Sequence, residues 1–279
     1  MGFLLPKNQG LKEYFFLNLK CIFVLILALL EIMNVKQYLD STYLKTASQA
    51  GLTEAENTLV VKKAIKEAIH EGFKLIMIRP EYVVLAKEMI LKSNSTLLVG
   101  TVIDFPEGKS DLEIKIKEAN KGIEDGADDL DFVCNYEAFK NGDLALVKQE
   151  ILIGTQIGLA NNKTVKWIIE VAALNEKQII QLSALIKNVV ISNFKEEQYS
   201  SVFVKSSTGF FKTENDLPNG ATIRTIIMML ENASPLSVKA AGGVRSYEDA
   251  IEMIRLGVKR IGTSAAKAIA SGGNTSNQY

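Results

Sequence analysis

Histidine and cysteine are almost missing from this 279-residue chain, which holds His70, Cys21 and Cys134 and no others of either kind. A single histidine excludes a histidine-rich zinc site and any triad or relay that needs two. It lies in "AIKEAIHEGF" and reads as a helix-surface residue rather than a catalytic one. Two cysteines supply neither a disulfide framework nor a metal-ligand cluster, and a reducing, cytoplasmic setting fits them best. Excess charge is missing too. With 32 Lys and Arg against 32 Asp and Glu, no global field draws the chain to nucleic acid. Between residues 33 and 270 there is no Pro-, Gly- or Ser-rich linker and no short internal repeat, so nothing divides that region.

What is present suits a globular protein, with 47% hydrophobic and 23% charged residues and enough length for one large core. The beginning differs from the rest. "YFFLNLKCIFVLILALLEIM" is strongly apolar, with Lys7, Lys12 and Lys20 ahead of the run from Cys21 to Leu30. That run is short for a membrane span, and no small-x-small cleavage site follows it. A membrane-targeting segment, an added amphipathic helix and upstream sequence read from a misassigned start all fit. The last is favoured, so membrane attachment is not expected. Residues 1–32 are thus a non-core hydrophobic extension, and ordinary patterning begins at Met33.

From Met33 onward, short β-branched runs alternate with helical patterns. The predicted strands are 38–43, 74–78, 96–104, 129–134, 165–171, 201–207, 237–242 and 260–264. In the segment 111–127, Leu112, Ile116, Ala119 and Ile123 share one helical face. Gly72, Gly126 and Gly257 stand where helices end. Eight strands separated by helices predict an α/β fold, a single-domain (β/α)₈ TIM barrel over 33–270, with a doubly wound open sheet as the alternative. The small, polar residues 271–279 read as a flexible C-terminal tail.

Barrel strands normally carry Val, Ile and Leu, so the ionisable residues at predicted strand ends stand out: Asp104, Asp131, Glu170, Lys205 and Lys239. In this architecture the carboxyl ends of the strands face the catalytic mouth. "SVFVKSSTGF" places Lys205 directly after a fully apolar run, and "SVKAAGGV" places Lys239 on the next strand. Two inward ammonium groups disfavour each other's protonation, and burial adds to the effect. One amine is then largely neutral near pH 7, as a Schiff-base nucleophile must be. Asp131 is placed to balance the remaining charge and carry protons. The alternative is that each lysine snorkels or pairs with a carboxylate as structure.

The turn in "KAAGGVRSYEDA" offers Gly242 and Gly243 with Ser246 as a helix N-cap. Such a turn, facing Gly262, Thr263 and Ser264 of "RIGTSAA", predicts an anion site for a phosphate group. Arg245 reads equally well as a contact to that anion or as a solvent-facing residue.

"GTVIDFPEG", "GADDLDFVCNY", "VKWIIEVAAL", "FVKSSTGF" and "VKAAGGVRSYEDA", in this order over about residues 35–279, resemble deoxyribose-phosphate aldolase, a class I aldolase family with a (β/α)₈ barrel. The resemblance implies that Lys205 forms the Schiff base, that Lys239 lowers its pKa, and that Asp131 works with a bound water in proton transfer. It implies reversible cleavage of 2-deoxy-D-ribose 5-phosphate to acetaldehyde and D-glyceraldehyde 3-phosphate, with no metal and no cofactor. Phosphate contacts fall to Gly209, Gly242, Gly243, Gly262 and Ser264, and Thr208 would orient substrate hydroxyls. Asp40 and Thr42 of "LDSTYLK" are expected to line the same mouth. The family also allows a homodimer and a C-terminal tyrosine, here Tyr279, that reaches the site.

Several positions depart from the family pattern. Ser206 replaces the usual threonine, Ser41 the usual histidine, and Arg79 an uncharged residue before proline. "STGFFKTENDLPNGAT" carries a longer, more polar insertion than the glycine-rich form. None removes a reacting group. Two rivals stand beside this reading: another Schiff-base barrel aldolase with a different sugar phosphate, and a non-catalytic phosphate-binding barrel.

Overall fold

A strand buried on both faces needs apolar side chains at every position rather than at alternate ones. The run "LIMI" meets that demand and "VFVK" meets it up to Lys205, and both are buried throughout. The computed structural model describes residues 34–214 and 217–273. Its strands are β1 Leu39–Tyr43, β2 Leu75–Ile78, β3 Leu98–Ile103, β4 Asp129–Val133, β5 Thr164–Ile168, β6 Val202–Lys205, β7 Ser237–Ala241 and β8 Arg260–Thr263. All neighbours pair in parallel, and β8 pairs with β1, so the sheet closes into a barrel in chain order. The (β/α)₈ expectation holds and the open sheet is set aside. Seven predicted strands contain an observed one, trimmed by one to three residues in all, whereas β5 begins one residue before its predicted start and ends three residues sooner. The expectations for residues 1–32, for the tail beyond residue 273 and for Tyr279 lie outside the described residues.

Helices follow each strand: α1 Glu54–Glu71, α2 Val83–Lys92, α3 Leu112–Glu124, α4 Leu144–Ala160, α5 Glu176–Asn193, α6 Ile223–Ala233, α7 Tyr247–Leu256 and the short α8 Ala266–Ala270. Their starts are written locally. Thr53 with Glu56, Asn175 with Gln178, and Ser246 with Asp249 form reciprocal capping boxes, each N-cap contributing about 1 kcal/mol. Gly72 and Gly257 end α1 and α7 at positive φ. Among the described residues no helix is long and apolar enough to cross a membrane.

The packing of α4 fixes the strands that matter most for the site. Trp167 on β5 is fully buried, stacks on Phe132 of β4 at 4.8 Å, and donates its indole N–H to Thr155 Oγ1 at 3.0 Å. A Cβ at Gly154 would stand 2.8 Å from the Trp167 ring, so this helix approaches only because residue 154 is glycine. With Phe132 and Trp167 turned outward, their neighbours Asp131 and Lys166 turn into the barrel, since side chains alternate along a strand.

Candidate active site

The carboxyl ends of β1, β6, β7 and β8 surround a cavity of about 570 Å³. Lys205 forms part of its floor; Thr42, Thr208 and Gly209 line one side, and Gly242, Gly243, Gly262 and Ser264 line another. Arg245 and Lys212 also line it.

Lys205 and Lys239 occupy matched positions on adjacent strands, so both project inward. Each donates to the same oxygen, Asp131 Oδ2, at 2.9 Å. The two amines are therefore no more than two hydrogen-bond lengths apart. Lys205 is 3% exposed, just reaching the cavity, whereas Lys239 and Asp131 are sealed behind it. The Lys205 pKa is pushed down to about 8: burial is the main cause, the charge of Lys239 adds to it, and Asp131 opposes both. The order of causes corrects the sequence argument, which put the second lysine first. Burial alone would raise Asp131, but Lys166, Lys205 and Lys239 outweigh it and hold that carboxyl well below the usual range. Asp131 is an anion at any working pH.

The interior extends deeper than the sequence indicated. Lys166 on β5 donates to Asp131 Oδ1 at 2.9 Å and to Asp129 Oδ2 at 2.6 Å. Arg260 on β8 donates to Asp40 Oδ1 at 2.7 Å and to Asp129 Oδ2 at 3.2 Å. Lys239 Nζ stands 2.6 Å from Asp40 Oδ2, a charge contact too oblique for a hydrogen bond. Asp40 was expected at the mouth. It is instead fully buried below it, because it is only the second residue of β1 and its carboxylate is taken by Arg260 and Lys239. Among the described residues no cluster of His, Cys, Asp and Glu could hold a metal ion.

The other strand-end acids face different tasks. Glu170, just after β5 at φ 55°, accepts from Ser207 Oγ at 2.8 Å, from the Thr208 N–H at 3.1 Å and from the Thr208 hydroxyl. Burial raises its pKa against those donors. This carboxylate sets the turn that carries Thr208 and Gly209 into the cavity. Asp104 turns away, accepting from Ser110 and lying 3.4 Å from the Lys115 amine. Ser206 Oγ donates to the Ala241 carbonyl at 2.7 Å and accepts the Ala241 N–H at 2.9 Å, a task that needs the hydroxyl and not the methyl of threonine. The end of the insertion is pinned on the glycine turn. Ala221 N–H reaches the Gly242 carbonyl at 2.8 Å, and a Cβ on Gly220 would meet two carbonyl oxygens at 2.5 Å.

Known proteins resemble this chain over most of its length. A deoxyribose-phosphate aldolase of Thermococcus gammatolerans is 36% identical over 241 residues, spanning 86% of this chain and 96% of that protein. The chain belongs to the deoxyribose-phosphate aldolase family. Another member, from Exiguobacterium sibiricum, is 36% identical over 248 residues, covering 88% of this chain and all of its own length. Among solved structures, an aldolase designated QR15 superposes with a TM-score of 0.71 at 29% identity, covering 86% of this chain and 96% of that one. The deoxyribose phosphate aldolase of Aeropyrum pernix, described as a unique tetrameric structure, gives 0.68 at 26% identity and covers 85% and 89%. No family model matches the chain.

As an aldolase of this family, the chain brings Lys205, Lys239 and Asp131 together, with Thr42, Thr208, Gly209, Gly242, Gly243, Gly262 and Ser264 around the cavity. Sequence reading missed Lys166, Asp129 and Arg260. Spacing two apart on β4, Asp129 and Asp131 are two inward carboxylates in one strand, and that pattern demands cations opposite.

Proposed function

We propose that Lys205 is the Schiff-base lysine in the reversible cleavage of 2-deoxy-D-ribose 5-phosphate to D-glyceraldehyde 3-phosphate and acetaldehyde. The chain is a lyase, a class I aldolase. The observation that carries the residue assignment is the single amine at the cavity floor, sharing one carboxylate oxygen with a second lysine and titrating near 8. About a tenth of such an amine is neutral at pH 7, and a neutral amine is what attacks an aldehyde.

Neutral Lys205 adds to the C1 aldehyde, and loss of water leaves an iminium. That iminium accepts the electron pair of the C2–C3 bond as a base removes the proton of the C3 hydroxyl. Glyceraldehyde 3-phosphate leaves, and an enamine remains on the lysine. Protonation at C2 restores an iminium, and water releases acetaldehyde and the free amine. Asp131, anionic and in contact with both amines, works with a water as the proton carrier, and Lys239 is its partner in the relay. A positioned acid/base contributes ~10²–10⁴-fold. The phosphate lies against Gly209, Gly242, Gly243, Gly262 and Ser264, where backbone N–H groups and the start of α7 favour an anion. Binding energy gained there is remote from the reacting carbons and orients them. Thr208 and Thr42 face the sugar hydroxyls.

On this reading residues 33–270 are the catalytic domain, residues 1–32 an extension and 271–279 a tail. The partner is a small sugar phosphate rather than nucleic acid or membrane, in the cytoplasm, with a homodimer as the assembly. The reaction needs neither metal nor cofactor. The test is a coupled assay of glyceraldehyde 3-phosphate release, joined to borohydride trapping with acetaldehyde. A label on Lys205, and its loss with all turnover in a folded Lys205→Ala variant, is the expected result. Turnover with another sugar phosphate only, or no labelled lysine, would replace the reading with one of its two rivals.

A further inference from the structure

Charged groups inside a barrel are costly unless each meets an opposite charge. Among the described residues, three carboxylates and four cations share this interior: Asp40, Asp129 and Asp131 with Lys166, Lys205, Lys239 and Arg260. Followed contact by contact, six of them close a circuit. Asp131 meets Lys166 at 2.9 Å, Lys166 meets Asp129 at 2.6 Å, and Asp129 meets Arg260 at 3.2 Å. Arg260 meets Asp40 at 2.7 Å, Asp40 meets Lys239 at 2.6 Å, and Lys239 returns to Asp131 at 2.9 Å. Acid and base alternate all the way round. Lys205 stands outside the circuit, attached to it at Asp131 alone.

We propose that this circuit is the positioning device of the reacting amine: its six charges balance, Lys205 is the unmatched cation, and Lys166, Asp129 and Arg260 hold that imbalance in place without touching substrate. The inference rests on the aldolase reading and deepens it. An interior with one surplus positive charge loses it most cheaply from an amine that reaches water; of these seven groups only Lys205 lines the cavity, and Arg260, also slightly exposed, is a guanidinium that keeps its proton. The circuit also fixes direction. Lys166 occupies Asp131 Oδ1, which leaves Oδ2 aimed at the two amines. Four charged groups face Lys205: Asp131 from β4, Lys166 from β5, Lys239 from β7, and Glu170 from the turn after β5. The Glu170 oxygens are taken by Ser207 and Thr208, so it closes no contact with the amine. Arg260 faces Asp40, Asp129 and, farther off, Asp131.

Two remote substitutions should therefore act with opposite sign. Asp129→Asn removes a negative charge, favours loss of the Lys205 proton and moves the acid limb of kcat/KM down by about one pH unit. Arg260→Gln removes a positive charge and moves the limb up by about as much. The double variant restores the balance and returns the midpoint close to wild type. Arg260→Lys keeps the charge and leaves the midpoint in place even where kcat falls. A purely structural role would lower kcat in all four without displacing the limbs in opposite directions. Full-length chains are used, with circular dichroism and thermal melts to establish folding. Limbs that stay fixed or move the same way overturn the proposal, as does failure of every variant to fold, which would assign the circuit to stability. Borohydride trapping on the wild type separates the two levels. An adduct on Lys205 with unmoved limbs sinks the circuit alone, whereas no adduct sinks the aldolase reading and the circuit with it.

Discussion

Replacing Lys239 with leucine tests the electrostatic half of the site most directly. Both amines lie 2.9 Å from Asp131 Oδ2, so their separation is at most twice that and, for donors spread as around an sp² oxygen, about 5 Å. At an effective dielectric constant near 20, two unit charges at that distance repel by ~3 kcal/mol, or ~2 pH units. Burial, the larger cause of the Lys205 depression, survives the substitution, so ~2 units is an upper limit. At that limit Lys205 moves from about 8 to ~10, and its neutral fraction at pH 7 falls from ~10% to ~0.1%. The expected loss is therefore up to ~100-fold at pH 7 and no more than ~2-fold at pH 10. The assay is kcat/KM against pH in the cleavage direction, with released glyceraldehyde 3-phosphate reduced in a coupled step. A loss of the same size at every pH would refute the reasoning, because it would mean that Lys239 only moves protons and does not tune its neighbour.

Two further predictions concern the turn and the stability of the reacting amine. Glu170→Gln removes an acceptor from the Thr208 turn and should raise KM for the phosphorylated substrate ~10-fold, while turnover of unphosphorylated 2-deoxyribose stays near its own wild-type value; an equal loss on both would move Glu170 from the phosphate turn to the amine. Lys205→Met should stabilise the fold at neutral pH. The folded amine titrates near 8 against an ordinary 10.5, so the unfolded chain holds the proton more tightly. Wild-type stability then rises with pH between about 8 and 10.5, and below 8 the full cost is present, ~3 kcal/mol at most. Denaturant melts should show the variant gaining most at pH 6.5 and least at pH 10.5. A gain that does not change with pH would mean better packing and not a removed charge.

The elements that the sequence made legible share one feature: their signal is local. Lys205 and Lys239 were visible because an ammonium interrupts an apolar run, and the glycine turn because its residues adjoin a strand and an N-cap. The hidden residues depend on partners far along the chain. Lys166, second in "VKWIIE", reads as a polar strand entry, and its burial follows only from Asp129 and Asp131, which lie 35 to 37 residues earlier. Arg260 follows the exposed Lys259, so the pair reads as a loop until alternation turns one inward. On α3 the expected stripe holds in part: Ala119 is buried and Leu112, Ile116 and Ile123 are half-buried, while the other fully buried positions are Lys115 and Gly122. No hydrophobic pattern would bury Lys115. It is buried because Glu150 of α4 and the carbonyls of Gly108 and Val133 receive its amine.

Charge balance also bears on what happens when substrate arrives. A phosphate brings about −1.5 to −2 charges near neutral pH, and an anion beside Lys205 would draw its proton back and silence the nucleophile. The cavity answers this with its own cations. Lys212 and Arg245 line the same space as the glycine turn, so the incoming charge meets two cations before its field reaches the floor. On the proposed reading, backbone N–H groups at Gly242 and Gly243, both at positive φ, would meet the anion with fixed dipoles that cannot exchange protons with it. The interior circuit sets the amine's proton affinity, and the cavity cations keep substrate binding from undoing that setting. The two arrangements are separate in space, and the reaction requires both, because an amine neutral only in the empty site would never meet an aldehyde.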